Sequence, residues 1–335
     1  MHRPALILLL GSTACSDPSP APMASTAEMV FVEGAGEVIT MNVDGSERTQ
    51  ITTDGTSKFL PHFSPDATKL VYTRFSVGGY GSPDAKSDVA LFDFATGHEV
   101  ILTHTGSASQ PVFSPDGTRI AYGDASATTH ALFVMDLDGS HTTPISAPAE
   151  TDTDRLWGDP AWSSDDWVLF VVVENANGCF KTRLDKIRPD GTERTKVTDG
   201  GPSCTPPMME QNGDADASFS ADGATIYTSR GMPRQPAGAP STPAGGLLLT
   251  ERKLYAVSSA AWTPSKVETD LSLAAHPDCI EGVPKPSPDG ARILLFRACF
   301  DDPQGRSGIV VADTAGTSRT FVADGFGPDW NPIVP

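Results

Sequence analysis

An all-β chain of repeated four-stranded antiparallel meanders is what this sequence predicts, and three observations predict it. The decapeptide "FSPDGTRIAY" (113–122) returns as "FSPDATKLVY" from Phe63, "WSSDDWVLFV" from Trp162, "FSADGATIYT" from Phe219 and "PSPDGARILLF" from Pro286. A second turn, "NVDGSER" (42–48), returns as "DFATGHE" (93–99), "DLDGSHT" (136–142), "RPDGTER" (188–194) and "DTAGTSR" (313–319). The two ends are complementary: residues 28–52 supply the last three strands of a unit, while "GPDWNP" (327–332) supplies a first strand alone. Five full units and one shared unit make six. The expected architecture is a six-bladed β-propeller closed by pairing of the N-terminal strands with the C-terminal strand, which leaves no open sheet edge.

Within one unit, "QPVF" from Gln110 reads as a short strand, "SPDG" as a turn, "TRIAY" as a second strand, and "ALFVMDL" as a third, followed by a "DG" turn and a fourth. Pro115 suits the second turn position because its φ is already set, and Gly117 takes the positive φ that follows. Ala67 and Asp166 stand at that glycine position in two other units, at a cost of about 1 kcal/mol each that neighbouring strands absorb. In the fourth full unit the second turn is blurred within "AVSSAAWTPS" (256–265). Equivalent positions Pro61, Pro111, Pro160, Ala217, Pro284 and Pro328 lie 50, 49, 57, 67 and 44 residues apart, the spacing of one supersecondary unit per repeat. Residues 27–335 then form a single domain. Phe63, Phe113, Trp162, Phe219 and Trp330 recur as packing between units.

The start, "MHRPALILLLGSTACSD", has a basic end, a short apolar run from Ala5 to Leu10 and small residues before Cys15. It is too short to span a bilayer and reads as an export signal over 1–14. The small residues ending at Cys15 resemble a lipoprotein processing site, so lipidation of Cys15 is expected. Residues 15–26 then form a Pro-rich tether reaching about 35 Å, at about 3.1 Å per residue. The product is an exported monomer, periplasmic or anchored at the outer membrane, touching membrane only through the lipid. A formal charge of −18 repels phosphate backbones and excludes nucleic acid as a partner.

With Cys15 lipidated, Cys179, Cys204, Cys279 and Cys299 remain, an even number suited to an oxidising compartment, with three possible pairings. Their expected places are loops between the second and third strands (Cys179, Cys299) and between units (Cys204, Cys279). Adjacent placement favours Cys179–Cys204 and Cys279–Cys299 over free thiols or a metal site, for which CxxC-like spacing is absent.

The units "QPVFSPDGTRIAY…LFVMDLDGS" and "DASFSADGATIYTS" resemble the TolB-like, WD40-like six-bladed β-propeller repeats of bacterial envelope proteins. The resemblance covers essentially 27–335 and implies fold more than activity. That family includes envelope scaffolds, propellers beside peptidases and some polysaccharide lyases.

Connections between second and third strands, and between units, share one face and carry the long loops, including 76–88, 147–159, 200–216, 231–246 and 274–282. Function is expected there. The Pro/Gly/Ala-rich 231–246 reads as disordered. Candidate ligand or partner residues at the central mouth are His62, Gln110, Asp159, Asp216 and Asp329, with Trp157 nearby. "NGDADAS" spaces Asn212, Asp214 and Asp216 like a calcium loop, but Ala217 and Gly223 stand where glycine and a bidentate Glu belong. His62, His104, His130 and His276 show no metal-ligand spacing, "HEVIL" (98–102) lacks a second zinc ligand, and no GxSxG motif occurs. No metal, cofactor or catalytic residue is therefore expected. The expected function is a non-catalytic scaffold binding an envelope protein or a cell-wall glycan; the alternative is a metal-assisted polysaccharide lyase or hydrolase.

Overall fold

The computed structural model describes residues 24–126, 129–146, 154–176, 179–200, 212–233, 250–272, 279–299 and 306–334. The export signal, Cys15 and most of the tether lie outside them, as do Cys204, residues 234–246 of the Pro/Gly/Ala-rich loop, and His276.

The described chain is all-β. It opens on three strands, β1 (Met29–Glu33), β2 (Glu37–Met41) and β3 (Thr49–Gln50). Two antiparallel four-stranded sheets follow. The first is β4 (Lys58–Phe63), β5 (Lys69–Val77), β6 (Lys86–Asp93) and β7 (His98–Ile101). The second is β8 (Ala108–Phe113), β9 (Arg119–Ser126), β10 (Thr129–Asp136) and β11 (Thr143–Pro144). The next two meanders are β12 (Asp154–Trp162), β13 (Val168–Ala176), β14 (Cys179–Ile187) and β15 (Thr195–Lys196), then β16 (Asn212–Phe219), β17 (Thr225–Pro233), β18 (Thr250–Ser258) and β19 (Glu268–Asp270). A short parallel pairing, Lys181↔Asn212 and Thr182↔Gly213, joins them into one sheet. Gly213 makes that approach possible: a Cβ there would stand 2.0 Å from the Thr182 carbonyl oxygen. The last full meander is β20 (Cys279–Pro286), β21 (Arg292–Cys299), β22 (Ser307–Asp313) and β23 (Arg319–Ala323). Finally β24 (Phe326–Trp330) pairs antiparallel with β1, Trp330 opposite Met29.

Inner strands are apolar on both faces because each sheet is packed between two others. In β13, Val168, Phe170 and Val172 join Ala121, Leu132 and Val134 of the preceding meander, while Leu169 and Val171 join Phe219, Ile226 and Val257 of the following one. That explains the unbroken run "VLFVVV", where a half-solvated strand would alternate. Equivalent cores lie between every consecutive pair, and one made of Met29, Phe31, Ile39, Leu294, Ile309 and Trp330 joins the first meander to the last. Burying a side chain such as Phe31 or Phe170 contributes about 1.5–3 kcal/mol.

The first turn of each full unit is locked by its own serine and aspartate. Ser114 Oγ donates to Asp116 Oδ1 at 2.6 Å and accepts from Arg119 N at 2.9 Å; Ser64–Asp66, Ser163–Asp165 and Ser220–Asp222 repeat the contact. Ala67 and Asp166 do adopt positive φ, 53° and 66°. Each is compensated: the Ala67 methyl is fully buried, and the Asp166 carboxylate accepts from Trp162 Nε1 at 2.8 Å. The blurred turn after β18 is a longer connection, 259–267, held by Lys266 Nζ on the Val197 and Ala260 carbonyls at 2.6 and 2.8 Å.

The cysteine positions differ from the loops expected for them. Cys279 and Cys299 are the first residue of β20 and the last of β21, directly opposite in register, and a disulfide joins them with Cα atoms 4.0 Å apart. Cys179 begins β14, and its side chain is outside the described ones.

Candidate functional site

The first strand of every meander carries the same irregularity. Two of its residues oppose one on the neighbouring strand: Leu60-Pro61, Gln110-Pro111, Asp159-Pro160, Asp216-Ala217, Val283-Pro284 and Gly327-Pro328. Such a bulge re-aims side chains, and proline fits it because the bulged amide is not needed by the ladder. Leu60, Gln110, Asp216, Val283 and Gly327 adopt φ of 47° to 61°.

This bulge divides the candidates between two ends of the axis where the first strands converge. Residues just after it, His62, Val112, Ala161, Ser218, Lys285 and Asp329, line a cavity of about 370 Å3 on the side of the short serine turns. Here His62 is buried, its Nδ1 3.3 Å from Asp329 Oδ2, an oxygen that also accepts from the Phe63 amide at 3.1 Å. Burial pushes the imidazole pKa down, the Lys285 ammonium adds to this, and Asp329 opposes both. A neutral ring at neutral pH follows. The hydroxyl of Ser218 is buried without a hydrogen-bond partner.

Gln110 and Asp216 instead line a cavity of about 240 Å3 on the loop side, with Thr182, Arg252 and a set of apolar and aromatic residues. Asp216 Oδ2 accepts from Arg252 Nη1 at 2.9 Å and from Ser229 Oγ at 3.0 Å. Gly282 on β20 leaves room for that carboxylate, since a Cβ there would lie 3.1 Å from the same oxygen. Asp214, two residues earlier, is fully buried against Arg230 at 2.6 and 3.1 Å. Both acidic members of the calcium-like spacing are thus engaged by arginines. Asp159 lies in β12 with Trp157, but the side chains of both are outside the described ones. Among the described residues no group of three His, Cys, Asp or Glu side chains gathers as a metal would require.

Sequence reasoning missed the aromatic wall of the loop-side cavity. Tyr80 stacks on Phe59 with centroids 4.1 Å apart and planes 11° from parallel; Phe59 stacks on Phe326 at 5.3 Å and 12°; Phe296 leans on Phe326 at 4.9 Å. Phe59 is buried, whereas Tyr80 is 70% exposed at the end of the column. A second depression, about 440 Å3, lies against the same three stacked rings and is bordered by Gly34, Gly36, Ser57, Lys58 and Gly79. One signal could have found the wall. The position before the bulge holds Ser109, Gly158, Ala215 and Gly282 in four units, but Phe59 and Phe326 in the other two. Small residues leave the axis open; two phenylalanines at adjacent units build a wall on one side of it.

The TolB beta propeller domain model matches residues 24–230 of this chain. The uncharacterized peptidase YuxL of Bacillus subtilis (strain 168) is 26% identical over 139 residues, 41% of this chain and 20% of that protein. The Tol-Pal system protein TolB of Anaeromyxobacter dehalogenans (strain 2CP-C) is 23% identical over 124 residues, 37% of this chain and 27% of that protein. The matches thus span only 20% and 27% of those two relatives' lengths. The crystal structure of TolB from Acinetobacter baumannii has a TM-score of 0.60 at 18% identity, covering 90% of this chain and 65% of that one, a likeness of fold. With its serine turns and proline bulges recurring through the strands and the family model covering more than half its length, the chain belongs to the TolB β-propeller domain family.

Proposed function

We propose that the protein is a non-catalytic binding or scaffold propeller of the bacterial cell envelope, engaging a protein or cell-wall glycan through its loop-rich face. In this reading six blades close into a ring through β24 and β1, supported by the core shared between the first and last meanders. Export, a lipid on Cys15 and a periplasmic or outer-membrane monomer follow from the leader-like start, and a second disulfide, Cys179–Cys204, joins the one at Cys279. An envelope setting agrees with the family resemblance and with a relative whose name places it in the Tol-Pal system.

The observation that carries the reading is the aromatic column ending in exposed Tyr80 at the loop-side cavity. Rigid aromatic surface contributes contact area at low entropy cost, which suits recognition. The one carboxylate described in that cavity, Asp216, is held by Arg252 and Ser229, an arrangement that orients ligands better than it abstracts protons. Capture from envelope extracts with the full chain and with Tyr80→Ala tests this. Partners retained by the native chain and lost, about tenfold or more, by the variant are expected. Identical capture by both proteins would remove the loop-side face from consideration.

A further inference from the structure

The loop-side cavity presents two kinds of surface at once. On one flank, the Phe326–Phe59–Tyr80 column ends in a ring backed by Phe59 on one face, in a residue 70% exposed. Its stacking holds it flat and fixed, so a ligand that covers it orders little protein. On the other flank stand Asp216 and Arg252, a carboxylate and a guanidinium 2.9 Å apart whose charges offset each other, so that the pair offers acceptors and donors together. A ligand matching both flanks has a flat C–H-rich face, a rim of hydroxyls that donate and accept, and no charge. Because Asp216 and Arg252 satisfy each other's charge, a charged ligand gains little from either, and acidic polymers also meet a chain of charge −18.

From these features we infer that the loop-side cavity binds a neutral oligosaccharide, one sugar ring lying between Tyr80 and the Asp216–Arg252 pair and the chain continuing over the column into the depression beside Gly36 and Gly79. The inference rests on the loop-face binding reading and gives its ligand class. The second depression supplies the reason for more than one sugar: it lies against the same three stacked rings, and Gly34, Gly36, Gly79 and Gly325 on its border present no side chain to a polymer crossing from one hollow to the other. A Cβ at Gly79 would crowd Ser57 Oγ at 3.3 Å, and one at Gly36 would meet the 57–58 backbone at 2.8 Å. Both glycines thus let the chain fold tightly behind the shelf.

Calorimetric titration of the full chain with glucose and N-acetylglucosamine, and with their β-1,4-linked and α-1,4-linked tetramers, tests the assignment. At least one tetramer is expected to bind about tenfold or more tighter than its monomer. Tyr80→Ala should weaken that tetramer about tenfold while Tyr80→Trp retains it, and Arg252→Met should weaken monomer and tetramer alike. Since Tyr80 is exposed, its variants keep the fold, verified by an unchanged melting midpoint. No binding of any tetramer at millimolar concentration, or equal binding by Tyr80→Ala, overturns the saccharide assignment. If capture of an envelope protein still depends on Tyr80 in that case, the loop-face reading stands and only the ligand class falls. If neither depends on Tyr80, both fall.

Discussion

Immediately after the bulge, six successive units place His62, Val112, Ala161, Ser218, Lys285 and Asp329 around the turn-side cavity; immediately before it they place Phe59, Ser109, Gly158, Ala215, Gly282 and Phe326 toward the loop side. The turn-side end is framed by one local device, a serine bonded to an aspartate two residues on, repeated with little change. At the loop-side end a hydroxyl after the fourth strand recurs, as in Thr52 and Thr103, but among the described residues the aromatic column, the Asp216–Arg252 pair and the disulfide have no counterpart in other units. The contrast shows how a repeat fold divides labour. Uniform short turns hold the strands in register, which frees the longer connections to differ, and specificity collects where the repeat is broken.

If so, the loop-side end should be the more costly to disturb, and the buried pair beneath it most of all. Asp214 is fully buried, and burial pushes its carboxyl pKa up while Arg230 opposes this. Arg230→Met leaves that carboxylate without its partner, and a loss of about 3–5 kcal/mol in urea unfolding is expected. Arg230→Met with Asp214→Leu should recover most of it, because the only carboxylate then deprived of Arg230 is that of Glu268, which reaches solvent. At the other end Lys285→Met should change stability by under about 0.5 kcal/mol, since no ion pair engages its ammonium among the described residues. Equal losses at the two ends would dissolve the contrast.

Next in size comes the covalent tie. Cys279 and Cys299 are 20 residues apart in sequence, and linking them restricts the unfolded chain by about 3 kcal/mol on loop-entropy reasoning. The Cys279→Ser/Cys299→Ser variant should lose about that much, and reductant should lower the wild-type unfolding midpoint while leaving the variant's unchanged. A reductant effect that persists in the variant would point to a second bond, for which Cys179 and Cys204 are the candidates.

The same contrast governs what could be read from the amino acids. Turn chemistry is local, so "SPDG" and its variants located five hairpins, and even Ala67 and Asp166 could be assigned positive φ from register with Gly117. The candidate residues were harder. His62 and Asp329 stand one place after the prolines, Gln110 and Asp216 one place before the equivalent positions, and a two-residue bulge sends these to opposite ends although they look adjacent along the strand. Tyr80 was out of reach because it comes from a connection that obeys no repeat, and Arg252 because it stands at the start of β18, where the long insertion before the strand hides its register. Phe59 and Phe326 were within reach, through comparison of one position across units, and went unnoticed because an aromatic in a strand reads as core. The cysteines of β20 and β21 were near enough in the repeat to pair, yet a strand-end pair and a loop-to-blade clamp look alike without the register.

The smallest effect belongs to the turn-side end and concerns pH. The Ser114 hydroxyl, followed by the Thr118 amide, holds the Asp116 carboxyl at about 2, below its usual range. An unfolded aspartate titrates near ~3.9, so the folded state binds the proton more weakly. Stability from this carboxylate is therefore complete above about pH 4 and is lost as pH falls through about 2. Because the side chain is exposed, screening keeps the contribution under about 1 kcal/mol. Asp116→Asn should be slightly less stable than wild type at pH 7 and no less stable at pH 2, compared by urea unfolding at each pH. Asp222 and Asp289 are held down by Ser220 and Ser287 in the same manner, so combining the three substitutions should widen the pH 7 gap while leaving the pH 2 gap closed. A gap that survives at pH 2 would mean that the aspartate shapes the turn as an acceptor regardless of its charge, and that the regular end of the molecule is stabilised by geometry alone.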